Sequence, residues 1–415
     1  MLTAAAKGYF RTRFVTRSGL SRARFERWQA RRLAVYLRDH AVRAAAFADL
    51  GNHPLSDFPV MDKATLMEDF ARYNRFGITA DEAWDAMERN VRVHGCAVGA
   101  STGTSGNRGL YLVSDAERFE WLGVMLAKAL PDAWRRAHRV AIMLPASSSL
   151  YDAANESGRL ALKFFDLREG VAKHEGALAA FAPTCLVAPP KALLALTTAD
   201  ESIAPERVFS AAEVLDPADR HVIEERFGGL AQIYMATEGL LAVTCSHGTL
   251  HLAEDLMHFE FEPIGDLVSP IITDFSRRTQ MMVRYRMNDL LRLKDEPCPC
   301  GSPLQAVAEI AGRTDDAFVL EGESGPTMVT PDVIRNAVVG ADRTITDFRV
   351  RQTGPQAVTV VLEPGRGEGA YVQAALAELF AGHGCTAEIT VVHEALSAPF
   401  DRKLRRVERV WTPGG

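Results

Sequence analysis

The clearest periodicity in the chain runs from Ser114 to Pro131. Ser114 and Glu117 have capping-box spacing, and Phe119, Leu122, Met125, Leu126 and Ala129 recur at helical intervals until the proline. The pattern predicts a helix. Val140 to Leu144 is a continuous apolar run of the length expected for a strand buried on both faces, and Leu160 to Leu167 and Thr184 to Ala188 repeat it. Asp216-Pro217 reads as an N-cap followed by proline at the first helical position. Gly228-Gly229 ends that helix, and Ala231 to Tyr234 is the next strand. Strands alternating with helices imply right-handed crossovers and a mostly parallel sheet, an α/β fold whose ligands bind past the carboxyl ends of strands. Thr237-Glu238 falls at such an end.

The flanking regions differ in texture. Before residue 50, apolar positions such as Phe14, Leu20, Phe25, Trp28, Leu33 and Leu37 are interleaved with eleven Lys or Arg and only three acids. Amphipathic helices with a solvated cationic face account for this; a membrane-surface or RNA-binding face is the alternative. A Pro-bounded segment, FPVMDKATL at 58–66, and a polar helical stretch through Trp84 to Asn90 follow. From about residue 316 short alternating strands (Thr346 to Arg351, Val358 to Leu362, Ala387 to Val392) surround one helix near Tyr371 to Ala381, the pattern of a separate small α+β domain.

Composition narrows the class. A chain of 415 residues has room for two or three domains, and 47% hydrophobic with 24% charged residues is an ordinary globular balance. No apolar run approaches the roughly 18 residues of a membrane span. The net charge of -6 gives no global reason to bind nucleic acid. Six cysteines without a secretory h-region point to a reducing cytoplasmic setting.

Five clusters carry candidate chemistry. The loop GASTGTSGNRG at 99–109 offers closely spaced amides and hydroxyls for a polyphosphate, with Arg108 its only cation; it lacks the Gly-Lys-Ser/Thr ending of a Walker loop. YMATEG at 234–239 combines a ring that can stack a base, a phosphate-reaching hydroxyl and a carboxylate able to hold Mg²⁺. VRYRMNDLLRL at 283–293 places Asp289 where it could accept ribose hydroxyls. IAGRTDD at 310–316 falls on the composition boundary, and PFDRKLRRVERV at 399–410 is a cationic tail.

In this order and spacing the clusters resemble the acyl-adenylate-forming (AMP-binding) superfamily, in particular its phenylacetate–CoA ligase-like branch and the group found near aryl-polyene pathways. The resemblance runs from FPVMDK at 58 to Lys403. It implies a large N-terminal domain, 1–313, that binds ATP and acid, and a small mobile C-terminal domain, 314–415. It assigns Ser101, Thr102, Gly103, Thr104, Ser105 and Gly106 to the ATP phosphates, with Arg108 supplying charge where relatives have Lys-Pro. Tyr234, Met235, Ala236, Ala212 and Glu213 border adenine, Thr237 reaches the phosphates and Glu238 holds Mg²⁺. RYRMND resembles the family's RYRTGD, giving Asp289 the ribose. GRTDD at 312–316 gives Arg313 to the nucleotide and Asp315 to the pivot. RKLRRV aligns with Gly-Lys-x-Lys-Arg-Val, making Lys403 the mobile catalytic lysine although Arg402 replaces the glycine.

Cys298-Pro299-Cys300 and the segment CSHGTLH, with Cys245, His247 and His251, suggest a structural zinc site. Cys245, His251, Cys298 and Cys300 would complete a Cys₃His tetrahedron, with His247 the alternative fourth ligand. Branch relatives with similar segments support it; Cys-x-Cys spacing is less diagnostic than Cys-x-x-Cys. The expected activity is ATP-dependent activation of a carboxylic acid, an aryl acid on resemblance, followed by transfer to the thiol of coenzyme A or of the phosphopantetheine of an acyl carrier protein. The rivals are a degenerate nucleotide-binding or scaffold protein of the same fold and a phosphotransferase yielding ADP. Neither nucleic acid nor a membrane span is expected as a partner, and nothing excludes an oligomer.

Overall fold

The computed structural model describes residues 2–101, 108–145, 159–323, 325–397, 399–400 and 403–411. The chain divides into two compact units. One comprises Met1–Ile264, Ser269–Met287 and Leu293–Ala308, the other Gly265–Val268, Asn288–Arg292 and Glu309–Gly415.

The first unit opens with α1 (Leu2–Val15), α2 (Arg22–Asp39), α3 (Lys63–Glu68) and α4 (Ala80–Glu88). The antiparallel pair β1 (Ala97–Ala100) and β2 (Leu110–Val113) leads into α5 (Asp115–Ala129). The expected capping box starts α5: the Ser114 hydroxyl accepts from the Glu117 amide, and the Glu117 carboxylate accepts from the Ser114 amide at 2.8 Å. Next come β3 (His138–Leu144), β4 (Leu160–Asp166), α6 (Glu175–Phe181), β5 (Cys185–Ala188), α7 (Pro190–Leu196), β6 (Arg207–Ala211), α8 (Pro217–Phe227) and β7 (Ala231–Ala236). The strands form a parallel block in the order β4-β3-β5-β6-β7, with the helices as crossovers. Val124 of α5 joins Val140, Ile142, Phe209, Ile233 and Leu240 in the core of this block.

Past β7 the sheet changes character. It continues antiparallel through β8 (Gly239–Thr244) and β9 (Leu250–Leu252), and the chain adds β10 (Met257–Ile264), β11 (Leu267–Asp274), β12 (Tyr285–Arg286), β13 (Asp289–Lys294) and β14 (Ala306–Arg313). The alternation of strand and helix that identified the parallel block therefore stops at residue 236.

α1 and α5 lie unusually close. Gly8 meets the backbone of Glu120, and Gly123 meets that of Ala5, so tightly that a Cβ at either glycine would collide with a carbonyl oxygen.

The second unit contains β15 (Phe318–Gly322), β16 (Gly325–Val329), α9 (Pro331–Ala341), β17 (Phe348–Gln352), β18 (Ala357–Leu362), α10 (Gly369–Gly382), β19 (Glu388–His393) and β20 (Val407–Arg409). Its main sheet has the order β19-β18-β17-β20. Two helices cover it where the sequence suggested one. α9 was hidden by its β-branched content, Val333, Ile334, Val338 and Val339, which lowers intrinsic helix propensity; burial of Ile334 and Val338 against Val372, Leu376 and Phe380 of α10 outweighs that. Among the described residues no helix is long and apolar enough to cross a membrane.

Candidate active site

Thr237 and Glu238 are the two turn residues between β7 and β8, with Ala236 paired to Gly239. Gly239 has φ +149°, and a side chain there would press on Met257 and Asp274, so glycine is needed to make the turn. The turn is held by side chains distant in sequence. The Arg277 guanidinium donates to both turn carbonyls, 3.1 Å to Thr237 and 2.6 Å to Glu238, and lies 3.4 Å from the buried carboxylate of Asp274. Burial raises the Asp274 pKa, and Arg277 with the Ser276 hydroxyl and amide offsets part of that cost. The hydroxyl of buried Tyr285 donates to Glu238 Oε1 at 2.9 Å. Burial, reinforced by Glu238, raises the Tyr285 pKa, so Tyr285 stays a donor at neutral pH. Glu238 Oε2 makes no hydrogen bond among the described residues.

Three sequence motifs meet here. Met61 of FPVMDK bridges Tyr285 in parallel: its amide donates to the Arg284 carbonyl at 3.0 Å, and the Arg286 amide donates back at 2.7 Å. Arg284, at φ +47°, donates twice to Glu260 and to the carbonyls of Ser56 and Phe58. Arg286 pairs with Glu262 at 2.5 Å. The arginines of RYRMND thus fasten a strap that aims Tyr285 at Glu238. Tyr285 lies within RYRMND but had no role in the sequence reading, and Arg277 and Asp274 carried no sequence signal.

Tyr234, Met235 and Ala236 are half-buried at the end of β7, whose pairing with β8 shifts register at Tyr234/Met235. Ala212, just past parallel β6, is held at φ +70°, a strained conformation for alanine at the strand end where nucleotides bind in such sheets. Glu213 pairs with Lys191 at 2.9 Å, both side chains being buried. The Ser101 amide and hydroxyl each bond Gly109 at 2.8 Å, closing the neck of the Ser/Thr/Gly loop. Arg108 lies over the Trp84 ring, 5.1 Å from its centroid, and donates to the Ser101 carbonyl. Thr102, Gly103, Thr104, Ser105, Gly106 and Arg402 lie outside the described residues.

In the second unit Arg313 approaches Asp289 at 3.6 Å, and the Thr314 amide donates to the Asn288 carbonyl at 2.8 Å. The Asn288 side chain donates to Asp315, and Arg405 reaches Asp316 at 3.4 Å. The motifs RYRMND and GRTDD are therefore neighbours. Lys403 is exposed just ahead of β20.

Cys245, His251, Cys298 and Cys300 of the first unit bring their ligand atoms within 4.8 Å of one another; His247 is not in the cluster. Cys245 Sγ is 3.7 Å from Cys298 Sγ, and Cys300 Sγ is 3.4 Å from His251 Nε2. A tetrahedral zinc with ordinary bond lengths requires about 3.8 Å between sulfurs and about 3.6 Å between sulfur and nitrogen. The fit extends outward, because His251 Nδ1 donates to the Leu304 carbonyl at 3.0 Å, fixing the tautomer that leaves Nε2 for a metal. Burial disfavours a thiolate at Cys298, but the Thr249 hydroxyl, the Cys300 amide and His251 outweigh it and bring its pKa down to about 6.

No family model and no curated protein matches the chain by sequence. Solved structures do match by fold. A 2-hydroxyisobutyryl-CoA ligase in the postadenylation state with an acyl-AMP is 18% identical, over 94% of this chain and 91% of that one, with a TM-score of 0.69. Its open conformation with 2-HIB-AMP and CoA gives 17%, 95%, 93% and 0.62. ATP-bound MatB from Rhodopseudomonas palustris gives 14%, 76%, 66% and 0.52. The fold is that of the acyl-adenylate-forming enzymes. It combines a large, partly parallel α/β part with a smaller C-terminal part, the fold class expected from the sequence.

Proposed function

We propose that the chain is an AMP-forming acid–thiol ligase, with the carboxylate of Glu238, fixed by Tyr285 on a turn pinned by Arg277, as the observation that carries the reading. An ionised substrate carboxylate attacks the α-phosphorus of ATP, the bond to the bridging oxygen breaks, and pyrophosphate leaves. No general base is required. A thiol then attacks the acyl carbon, loses its proton and expels AMP. Mg²⁺, when bound at Glu238, neutralises phosphate charge. The chain's own contribution is positioning and electrostatics: Ser101 and its loop at the phosphates, Tyr234 and Ala212 at adenine, Asp289 and Arg313 at the ribose, and Lys403 adding charge during adenylation. The sequence resemblance favours an aryl acid of the phenylacetate–CoA ligase-like kind. The acceptor is coenzyme A, as in the 2-hydroxyisobutyryl-CoA ligase complexes, with a carrier-protein thiol as the alternative. The Cys₃His cluster fits structural zinc, and its four protein ligands leave no open coordination position.

The test is ATP–pyrophosphate exchange across aryl and alkyl acids, followed by mass spectrometry of products with coenzyme A or carrier protein. AMP and a thioester are expected. No exchange with any acid would favour the degenerate scaffold, and ADP would favour a phosphotransferase. Lys403→Ala should abolish exchange yet leave transfer from a supplied acyl-adenylate largely intact; equal slowing of both half-reactions would remove the lysine from the first.

A further inference from the structure

We propose that the solvent face of α1 is a docking surface for an anionic lipid bilayer. Ala6, Lys7, Phe10, Arg13 and Phe14 recur at three- and four-residue steps along α1, with Arg17 one turn beyond, and all are exposed. The Phe10 and Phe14 rings are 61% and 64% exposed, among the most exposed large apolar side chains described. They cannot be turned inward, because the opposite face is committed. Gly8 meets the Glu120 backbone, the Thr12 hydroxyl donates to buried Asp255 at 2.7 Å, and the Tyr9 hydroxyl donates to the Pro131 carbonyl at 2.6 Å.

The Tyr9 bond fastens that committed face to the turn at 131–137. That turn carries Trp134, 51% exposed, under the Arg135 guanidinium at 4.1 Å. This face of α1 therefore displays two aromatic rings among Lys7, Arg13 and Arg17, and α1 itself contains no acid.

Chemistry selects the partner. The surface is the exposed face of one helix, which a bilayer accepts as a wedge. Rings enter the boundary between headgroups and acyl chains while guanidinium and ammonium groups stay at the phosphates. Single-stranded nucleic acid would stack on open ring faces, but Arg17 covers Phe14 at 4.0 Å and Arg135 covers Trp134. Charge also orients the molecule. Residues 1–50 hold eleven cations and three acids within a chain of net charge -6, so an anionic surface attracts this region and repels the remainder.

The experiment is co-sedimentation of the full chain with phosphatidylglycerol–phosphatidylcholine vesicles and with pure phosphatidylcholine vesicles, at low and high salt. Binding to the anionic vesicles alone, weakened by salt, is expected. Phe10→Ser/Phe14→Ser should bind at least about tenfold more weakly with an unchanged melting temperature, since the rings are exposed. Arg13→Glu/Arg17→Glu should do the same by reversing charge. The proposal is overturned by absent binding, by equal binding to neutral vesicles, or by full binding of both variants. It is equally overturned if the rings instead mediate self-association, seen as a dimer that Phe10→Ser/Phe14→Ser dissolves, or if a short single-stranded RNA binds more tightly than the anionic vesicles.

Discussion

At the scale of the residue, Glu238 and Tyr285 separate two contributions that one substitution would merge. Glu238→Gln removes the negative charge itself and should lower pyrophosphate exchange by roughly a hundredfold or more, because stabilisation of phosphoryl charge is mainly electrostatic. Tyr285→Phe keeps the charge and removes only the hydroxyl that orients it through Oε1. A hydrogen bond to a charged group contributes about 1.5–3 kcal/mol, so the Mg²⁺ concentration needed for half-maximal exchange, and for calorimetric binding of MgATP, should rise about tenfold or more. An unchanged Mg²⁺ requirement in a folded Tyr285→Phe, with Glu238→Gln inactive, would show that Tyr285 only packs. Glu238 was legible because a strand end with a carboxylate is a motif local in sequence. Arg277, forty residues from the carbonyl of Thr237, was not, because only the fold brings it to the turn.

Elements differ in what revealed them. α5 was readable from its cap and period, and β3, β4, β5 and β7 from short apolar runs bounded by breakers, whereas β6 was missed. The antiparallel strands of the first unit after residue 239 gave no comparable signal, since partly polar strands such as β10, MHFEFEPI, owe their place to pairing. Packing between elements was invisible as well: nothing in Gly123 announces that α1 crosses there. Gly123→Ala should cost about 1–3 kcal/mol by forcing α1 off α5, read as a lower urea midpoint; an unchanged midpoint would mean that the helices separate freely. The Cys₃His cluster joins the β8–β9 hairpin to the loop before β14. The spacing pointed to its four members, while the choice between His251 and His247 needed β9, which sets His251 opposite Ala306. Elemental analysis of untagged protein should find about one zinc per chain, and Cys298→Ser should lose it together with several degrees of melting temperature. A metal-free, fully stable wild type would leave these residues as packing groups.

For the molecule as a whole, the fold persists at 18% identity because its determinants are burial pattern and strand order, which tolerate almost any apolar exchange, while the chemistry rests on a few fixed positions. The second unit shows how a site-like cluster can burden global stability. Asp316 stands beside the motif residues Arg313 and Asp315, and burial raises its pKa to about 6, with Arg405 and then Arg313 working against that rise. A carboxyl with a raised folded-state pKa binds its proton more tightly when folded. Its stabilising contribution is complete below the unfolded value of 3.8 and is lost as pH rises through about 6. A rise of that size corresponds to a loss of up to about 3 kcal/mol by neutral pH. Asp132, held down to about 2 chiefly by its bond to Arg207, responds in the opposite sense but only under far more acid conditions, so it does not mask the effect between pH 4.5 and 7.5. Asp316→Asn, uncharged at every pH, should therefore gain stability relative to wild type as the pH is raised across that range, read as a growing difference between their urea midpoints. If the difference were the same at both ends, Asp316 would be ionised in the folded chain throughout, and the Arg405 contact at 3.4 Å would outweigh its burial.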